Sequence, residues 1–158
     1  MHTYEPLQSL RDPISSIAGF RFHDALDVVR RAQHDRLIGW STWPEVWHLD
    51  DNGEMRCYYA GSTGESIRRW ANNPSSLLGA RYEGMRAGGC TRRWVIVESR
   101  NCWIEDALVN EGDAQSFLRV REHLAAVGVQ LLDVVIFDAD CHWWSMQELT
   151  TGSTRWPS

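Results

Sequence analysis

The chain has 158 residues, of which 43% are hydrophobic and 23% charged, and its formal net charge is -5. This composition predicts one soluble globular domain, and the negative charge argues against a general polyanion binder. No apolar run approaches the roughly 20 residues that span a bilayer, and residues 1–11 lack the features of a signal peptide, so we expect a cytoplasmic protein without membrane association.

The first half of the sequence predicts a helix followed by a β-hairpin. Apolar residues recur at helical spacing over residues 21–38, which indicates an amphipathic helix. Two extended runs, residues 45–49 and 55–60, flank the turn signal Asp50-Asp51-Asn52-Gly53. An extended run on each side of such a turn is typical of a β-hairpin.

After the hairpin, the sequence alternates between helical and extended patterns. Gly61 ends the second strand, and we expect Ser62 or Thr63 to cap a helix that runs to Pro74. Further helices are predicted within residues 75–89, from Trp103 with an interruption at Gly112, and over residues 117–127. Further strands are predicted at residues 94–97 and 131–137 and around residues 142–144. This order favours an α+β fold in which a small mixed or antiparallel sheet, opening with a β-hairpin, is covered by helices.

The hairpin and the helix after it resemble the GIY-YIG nuclease superfamily. In that family the two strands carry Gly-Ile-Tyr and Tyr-Ile-Gly, and an arginine follows ten residues after the second tyrosine. Here Tyr59-Ala60-Gly61 is similar to the second element, Arg69 lies ten residues after Tyr59, and Trp47 lies twelve before it. The first motif is degenerate, because Glu45-Val46-Trp47 stands where the family has Gly-Ile-Tyr.

The resemblance covers about residues 45–109 and implies a division of the single domain, 1–158. A GIY-YIG-like core would occupy residues 44–111, with an N-terminal helical extension at 1–39 and a C-terminal helix and strand extension at 112–158. The extensions would provide specificity or dimer contacts, because the minimal nuclease core does not require them.

The activity that this resemblance implies is metal-dependent hydrolysis of phosphodiester bonds by a DNA endonuclease. Tyr59 would orient the attacking water and Arg69 would stabilise the phosphate. Glu105 would hold Mg²⁺ or Mn²⁺, with Glu111 and Glu98 as alternatives. Because Trp47 lacks the acidic hydroxyl of a tyrosine, the alternative is an inactive descendant that binds nucleic acid or a protein partner.

Basic side chains are concentrated in the middle of the chain, where residues 66–97 hold six arginines and a single acid. Such a stretch predicts a local surface that faces phosphates, so DNA is the expected partner. The residues expected to contact nucleic acid are Arg68, Arg81, Arg86, Arg92 and Arg93.

A second resemblance concerns residues 128–136, Gly-Val-Gln-Leu-Leu-Asp-Val-Val-Ile, which are similar to the closing strand of the RadC-like JAB metalloprotease domain. The H-x-H motif and the downstream serine and aspartate ligands of that family are absent from this sequence. This resemblance therefore implies a metal-free relic. A zinc hydrolase is not expected, because the histidines form no zinc motif and the four cysteines are far apart (Cys57, Cys90, Cys102 and Cys141).

Overall fold

The described part of the chain forms one mixed β-sheet with helices on both faces. The computed structural model describes residues 2–3, 21–34, 44–61, 65–77, 79–80, 92–100, 108–138 and 142–157. Its strands are β1 (His2–Thr3), β2 (Glu45–Leu49), β3 (Met55–Ala60), β4 (Arg93–Arg100), β5 (Gln130–Asp138) and β6 (His142–Ser145). Its helices are α1 (Ala25–His34), α2 (Ile67–Asn72), α3 (Glu111–Ala125) and α4 (Met146–Thr151), with a 3₁₀ turn at Pro74–Leu77. The prediction of an α+β fold with a mixed sheet and a β-hairpin is confirmed.

The six strands lie in the order β1-β6-β5-β4-β2-β3. Strands β4 and β5 are parallel and are joined through α3, whereas the other neighbours are antiparallel. Most residues of β4 and β5 are buried, as expected for a parallel pair covered on both faces. Residues 112–158, expected as an extension, supply β5 and β6 and therefore form part of the sheet itself.

Alternate residues of the central strands pack into two cores, one on each face of the sheet. Val95 and Val97 of β4 face the core beneath α1, which also contains Trp47 and Trp156. Ile96, the residue between them, faces the core that α2 and α3 cover. Since a strand presents successive side chains to opposite faces, each core takes every second residue.

Two helix starts differ from the prediction. The N-cap of α2 is Ser66, whose side chain accepts a hydrogen bond from the backbone N–H of Arg69 at 3.2 Å. Ser62 and Thr63, the expected caps, lie outside the described residues. Helix α3 begins earlier than expected and continues through Gly112, because a capping box between Asn110 and Asp113 satisfies its first N–H groups.

The ends of other predicted helices fall partly outside the described residues. Helix α1 covers residues 25–34 of the expected 21–38, and residues 35–43 are outside. The helix expected within 75–89 is described as a 3₁₀ turn over residues 74–77 and helical backbone at residues 79–80. The helix expected from Trp103 lies outside the described residues as far as residue 107, and it is wrong for residues 108–110, which are not helical. Among the described helices, none has the length and apolar character needed to cross a bilayer.

Candidate functional site

Four charged side chains from three elements meet beside the first turns of α2 and α3. Glu98 and Arg100 lie two residues apart near the end of β4, so they project from the same face of the sheet. Asp113 lies in the first turn of α3, and Arg68 lies in the first turn of α2. These residues, Glu98, Arg100, Asp113 and Arg68, are called the ion cluster below.

Arg100 is the central cation of the ion cluster. Its Nε donates a hydrogen bond to Oε2 of Glu98. Its Nη1 and Nη2 donate to Oδ2 and Oδ1 of Asp113 at 3.0 and 2.7 Å, which is the bidentate geometry of a strong guanidinium–carboxylate pair. Arg100 is 9% exposed, Glu98 1% and Asp113 0%, so these charges are withdrawn from water and depend on each other.

Arg68 adds a second guanidinium on the outer side of Asp113. Its Nε donates to Oδ1 of Asp113 at 2.7 Å, and its Nη2 donates to Oδ2 at 2.9 Å and to the carbonyl of Leu108 at 2.9 Å. The Arg68 side chain is 27% exposed, so it forms the solvent-facing edge of the cluster. Two guanidiniums therefore neutralise two carboxylates.

The surroundings of Asp113 strongly favour its ionised form. Burial by itself would raise the pKa of Asp113, but the hydrogen bonds and charges of Arg100 and Arg68 outweigh it and lower the pKa to about 2. The backbone N–H of Asn110 also donates to Asp113, at 3.0 Å. The same carboxylates raise the pKa of Arg100, although burial opposes that shift. Asp113 and Arg100 are therefore held in their charged forms.

Local sequence explains how each element reaches the cluster. Glu98 Oε1 accepts the backbone N–H of Ile67 at 2.8 Å, so a carboxylate satisfies the N-terminus of α2. The capping box fixes Asp113 at the third position of α3. The first turns of two helices are thus directed at the same end of β4.

Tyr59, Arg69 and Gly61, which were predicted to belong to a nuclease site, are among the described residues. Tyr59 is half-buried against the core beneath α2 and α3. Its hydroxyl lies beside Gly79, where an added Cβ would come within 2.9 Å of the Tyr59 oxygen. Arg69 lies on α2 and is exposed. Gly61 is buried where the chain leaves β3, and its N–H donates to the carbonyl of Pro44 at 2.8 Å.

Trp47 lies on the other face of the sheet from Tyr59. Tyr59 pairs with Val46 across the hairpin, so Trp47 projects from the opposite side and belongs to the core beneath α1. There it packs edge-on against Phe22 with ring centroids 5.5 Å apart, and its Nε1 donates to Oε2 of Glu45 at 3.3 Å. Trp47 is therefore a core residue at a distance from any groove that Tyr59 lines.

Two of the three carboxylates considered as metal ligands, Glu98 and Glu111, are among the described residues. Glu98 uses both oxygens in the ion cluster, where it contacts Arg100 and Ile67. Glu111 is exposed at the first position of α3. Glu105 lies outside the described residues. Within the described ranges, histidine, cysteine, aspartate and glutamate side chains form no group of three that could hold a metal ion.

Three of the arginines expected to contact nucleic acid, Arg68, Arg92 and Arg93, are among the described residues. Arg68 is engaged with Asp113, Arg92 is exposed just before β4, and Arg93 donates to the carbonyl of Pro157 at 2.7 Å. Arg81 and Arg86 lie outside the described residues.

Arg100 and Asp113 are central to the cluster, and neither was predicted from the sequence as a site residue. A signal for each is present in the sequence. Glu98-x-Arg100 has the spacing that places two charges on one face of a strand, and Asn110-x-x-Asp113 has the spacing of a capping box. In comparisons with known proteins, no family model matches this chain and no curated protein is significantly similar to it. Both family resemblances therefore stay predictions.

Proposed function

We propose that this chain is a non-hydrolytic binding domain of the RadC-like JAB type, in which the ion cluster takes the place of a metal centre. The observation that supports the proposal is the meeting of Glu98, Arg100 and Asp113. Glu98 and Arg100 have the i, i+2 spacing of an H-x-H motif at the end of a central strand, and Asp113 is an aspartate downstream of them. The strand that resembles the family's closing strand is β5, which pairs directly with β4.

The side chains of the cluster do not suit a metal. Zinc is bound by neutral imidazole and by anionic ligands, whereas one of these three positions carries the permanent positive charge of Arg100. That guanidinium already occupies the space between two carboxylates, where a divalent cation would otherwise balance their charge.

The chemistry of a guanidinium also differs from that of a metal. Arginine keeps its proton in proteins, and it cannot act as a Lewis acid that lowers the pKa of a bound water to near neutrality. The cluster therefore fixes the starts of α2 and α3 against β4 and supplies no nucleophile. The domain would act by binding, with the cluster as its structural centre.

A gain-of-metal experiment tests this proposal. The native chain and the double variant Glu98→His/Arg100→His are incubated with zinc, dialysed and assayed for bound metal. We expect no retained zinc in the native protein and about one zinc per chain in the variant, because two imidazoles and Asp113 supply three ligands. Adding Asp113→Asn to the double variant is the matched control and should weaken zinc binding by roughly tenfold or more.

A folded double variant that retains no zinc would contradict the placement of the cluster at a former metal site. Zinc binding to the double variant that Asp113→Asn does not weaken would also contradict this placement. Circular dichroism of each variant separates these outcomes from loss of the fold.

The nuclease hypothesis predicts cleavage of DNA, whereas a non-hydrolytic domain would not cleave it. A GIY-YIG-like enzyme would nick plasmid or single-stranded DNA with Mg²⁺ or Mn²⁺, and the activity would disappear in Arg69→Ala and Glu105→Ala. We expect no cleavage with any of these metals. Cleavage that both substitutions abolish would overturn the proposal of a non-hydrolytic domain.

A further inference from the structure

A cleft of about 570 Å³ lies near the start of β4, and the ion cluster lies near the end of the same strand. Four segments form it: the residues before α1, the β2–β3 turn, the first residue of β4 and the C-terminal residues 155–157. Its volume is in the range of small-molecule sites, which is roughly 300 to 1,000 Å³. The cleft shares no residue with the ion cluster.

Backbone hydrogen bonds join these segments. The N–H of Phe22 donates to the carbonyl of Gly53 at 2.8 Å, and the N–H of Trp156 donates to the carbonyl of His23 at 3.3 Å. Gly53 has a φ of 85°, and a Cβ there would lie 2.8 Å from the Phe22 carbonyl oxygen, so this close approach requires glycine. The cleft is therefore formed in advance, which reduces the entropy lost when a ligand binds.

Trp156 fixes the C-terminal wall of the cleft. Its indole N–H donates to Oδ2 of Asp133 at 3.0 Å, and Asp133 is completely buried in β5. The segment that carries Arg155 is thus tied to the centre of the sheet.

Two guanidiniums line this cleft, those of Arg93 and Arg155. The Nη2 of Arg93 donates to the carbonyl of Pro157 at 2.7 Å, which orients its fork. In the part of the chain that the structure describes, no carboxylate lies within ion-pair distance of either side chain. Each guanidinium therefore has donors for an anion, and a planar fork matches the oxygens of a phosphate.

The remaining polar groups narrow the choice of anion. Asp51 also lines the cleft, so among the described lining residues two guanidiniums face one carboxylate. A ligand with several adjacent negative charges is therefore disfavoured. Asn52 and His23 offer hydrogen-bonding groups beside the arginines. We propose that this cleft binds the single phosphate group of a nucleotide, either free or as a unit of single-stranded nucleic acid. This inference goes beyond the proposed function and does not depend on what the ion cluster replaced.

Fluorescence anisotropy of a labelled short oligothymidylate with the full chain at low salt tests the inference. We expect Arg155→Gln and Arg93→Gln each to weaken binding about tenfold, because each removes a charge-assisted hydrogen bond to phosphate. The slope of log affinity against log salt should fall by about 0.7 for each arginine removed. Arg119→Gln, on the exposed side of α3, is the matched control and should leave both quantities unchanged.

Competition identifies the source of the phosphate. Thymidine 5′-monophosphate that displaces the oligonucleotide, at a concentration where inorganic phosphate at equal ionic strength does not, assigns the site to free nucleotides. Failure of the monophosphate to compete, with the arginine dependence retained, assigns it to single-stranded nucleic acid.

Two results would overturn the inference: no binding of either probe at low salt, or equal loss of binding in Arg119→Gln and Arg155→Gln. Arg93→Gln also removes the contact with Pro157. If that variant is unstable, the result for Arg155→Gln decides the test. None of these variants alters the ion cluster, and the zinc experiment on Glu98→His/Arg100→His can fail or succeed independently.

Discussion

Asp113 and Asp133 are both buried carboxylates next to the central strands, yet their surroundings shift their pKa values in opposite directions. Asp113 faces two guanidiniums, those of Arg100 and Arg68, and its pKa is about 2. Asp133 is contacted by neutral donors, the hydroxyl of Ser145 at 2.6 Å, the N–H of Gln147 at 3.0 Å and the indole of Trp156 at 3.0 Å. Burial dominates there and raises the pKa of Asp133 to about 6.

The pKa values of Asp113 and Asp133 distinguish the effect of burial from the effect of a full countercharge. Burial disfavours the ionised form of both carboxylates, and both accept several hydrogen bonds. Neutral donors offset only part of the desolvation at Asp133, whereas two guanidiniums more than offset it at Asp113. Asp113 is thus held as a carboxylate within the ion cluster. Asp133 is a hydrogen-bonding centre that connects β5, α4 and the C-terminal wall of the cleft.

Removing the central cation should produce the largest effect. Arg100→Met would leave Glu98 and the inner side of Asp113 buried without their partner, so we expect a loss of about 3 to 5 kcal/mol in the free energy of unfolding. Urea denaturation measures it, with Arg119→Met as an exposed control expected to change stability by less than about 0.5 kcal/mol. A loss near that of the control would show that Arg68 alone balances the cluster.

Protonation of Asp133 should produce the next largest effect. Its pKa is raised from 3.8 to about 6 on folding, so the folded state binds the proton more tightly than the unfolded state. The associated stability is fully present below the unfolded pKa and is lost as the pH rises through the folded pKa. The free energy of unfolding should therefore fall by roughly 2 to 3 kcal/mol between about pH 4 and pH 7 through this residue.

The measurement compares native protein with Asp133→Asn across this range. Asp133→Asn removes an acceptor and so changes the free energy of unfolding at every pH. The free energy of unfolding of the native protein, relative to that of the variant, should in addition fall by roughly 2 to 3 kcal/mol between about pH 4 and pH 7. A difference that stays constant between about pH 4 and pH 7 would mean that a cation or water stabilises the Asp133 carboxylate.

The local features of the fold could be predicted from the sequence. The β2–β3 hairpin follows from a turn signal between two extended runs, and β5 follows from a continuous apolar run. The start of α3 was predicted too late, because Gly112 was treated as an interruption although the capping box at Asn110 tolerates it. Each of these features depends on residues that are close in sequence.

The ion cluster depends on residues that are distant in sequence. Arg68 and Asp113 are 45 positions apart, and they meet only because α2 and α3 both begin at the same end of β4. That meeting requires the strand order, with β4 between β2 and β5, which no local pattern contains. The side of the sheet on which Trp47 lies could have been predicted. Trp47 follows Val46 in β2, and Val46 pairs with Tyr59, so Trp47 projects from the other face of the sheet.

Protonation of Asp113 should produce the smallest effect, with the opposite sign to Asp133. The pKa of Asp113 falls from 3.8 to about 2 on folding, so its contribution is present above the unfolded pKa and is lost as the pH falls through the folded pKa. We expect about 1 to 2 kcal/mol, because solvent partly screens the Arg68 side of the cluster. The difference in unfolding free energy between native protein and Asp113→Asn should therefore shrink by this amount between about pH 5 and pH 2. A difference that grows as the pH falls would mean that Asp113 behaves like Asp133 and that the guanidiniums do not control its charge.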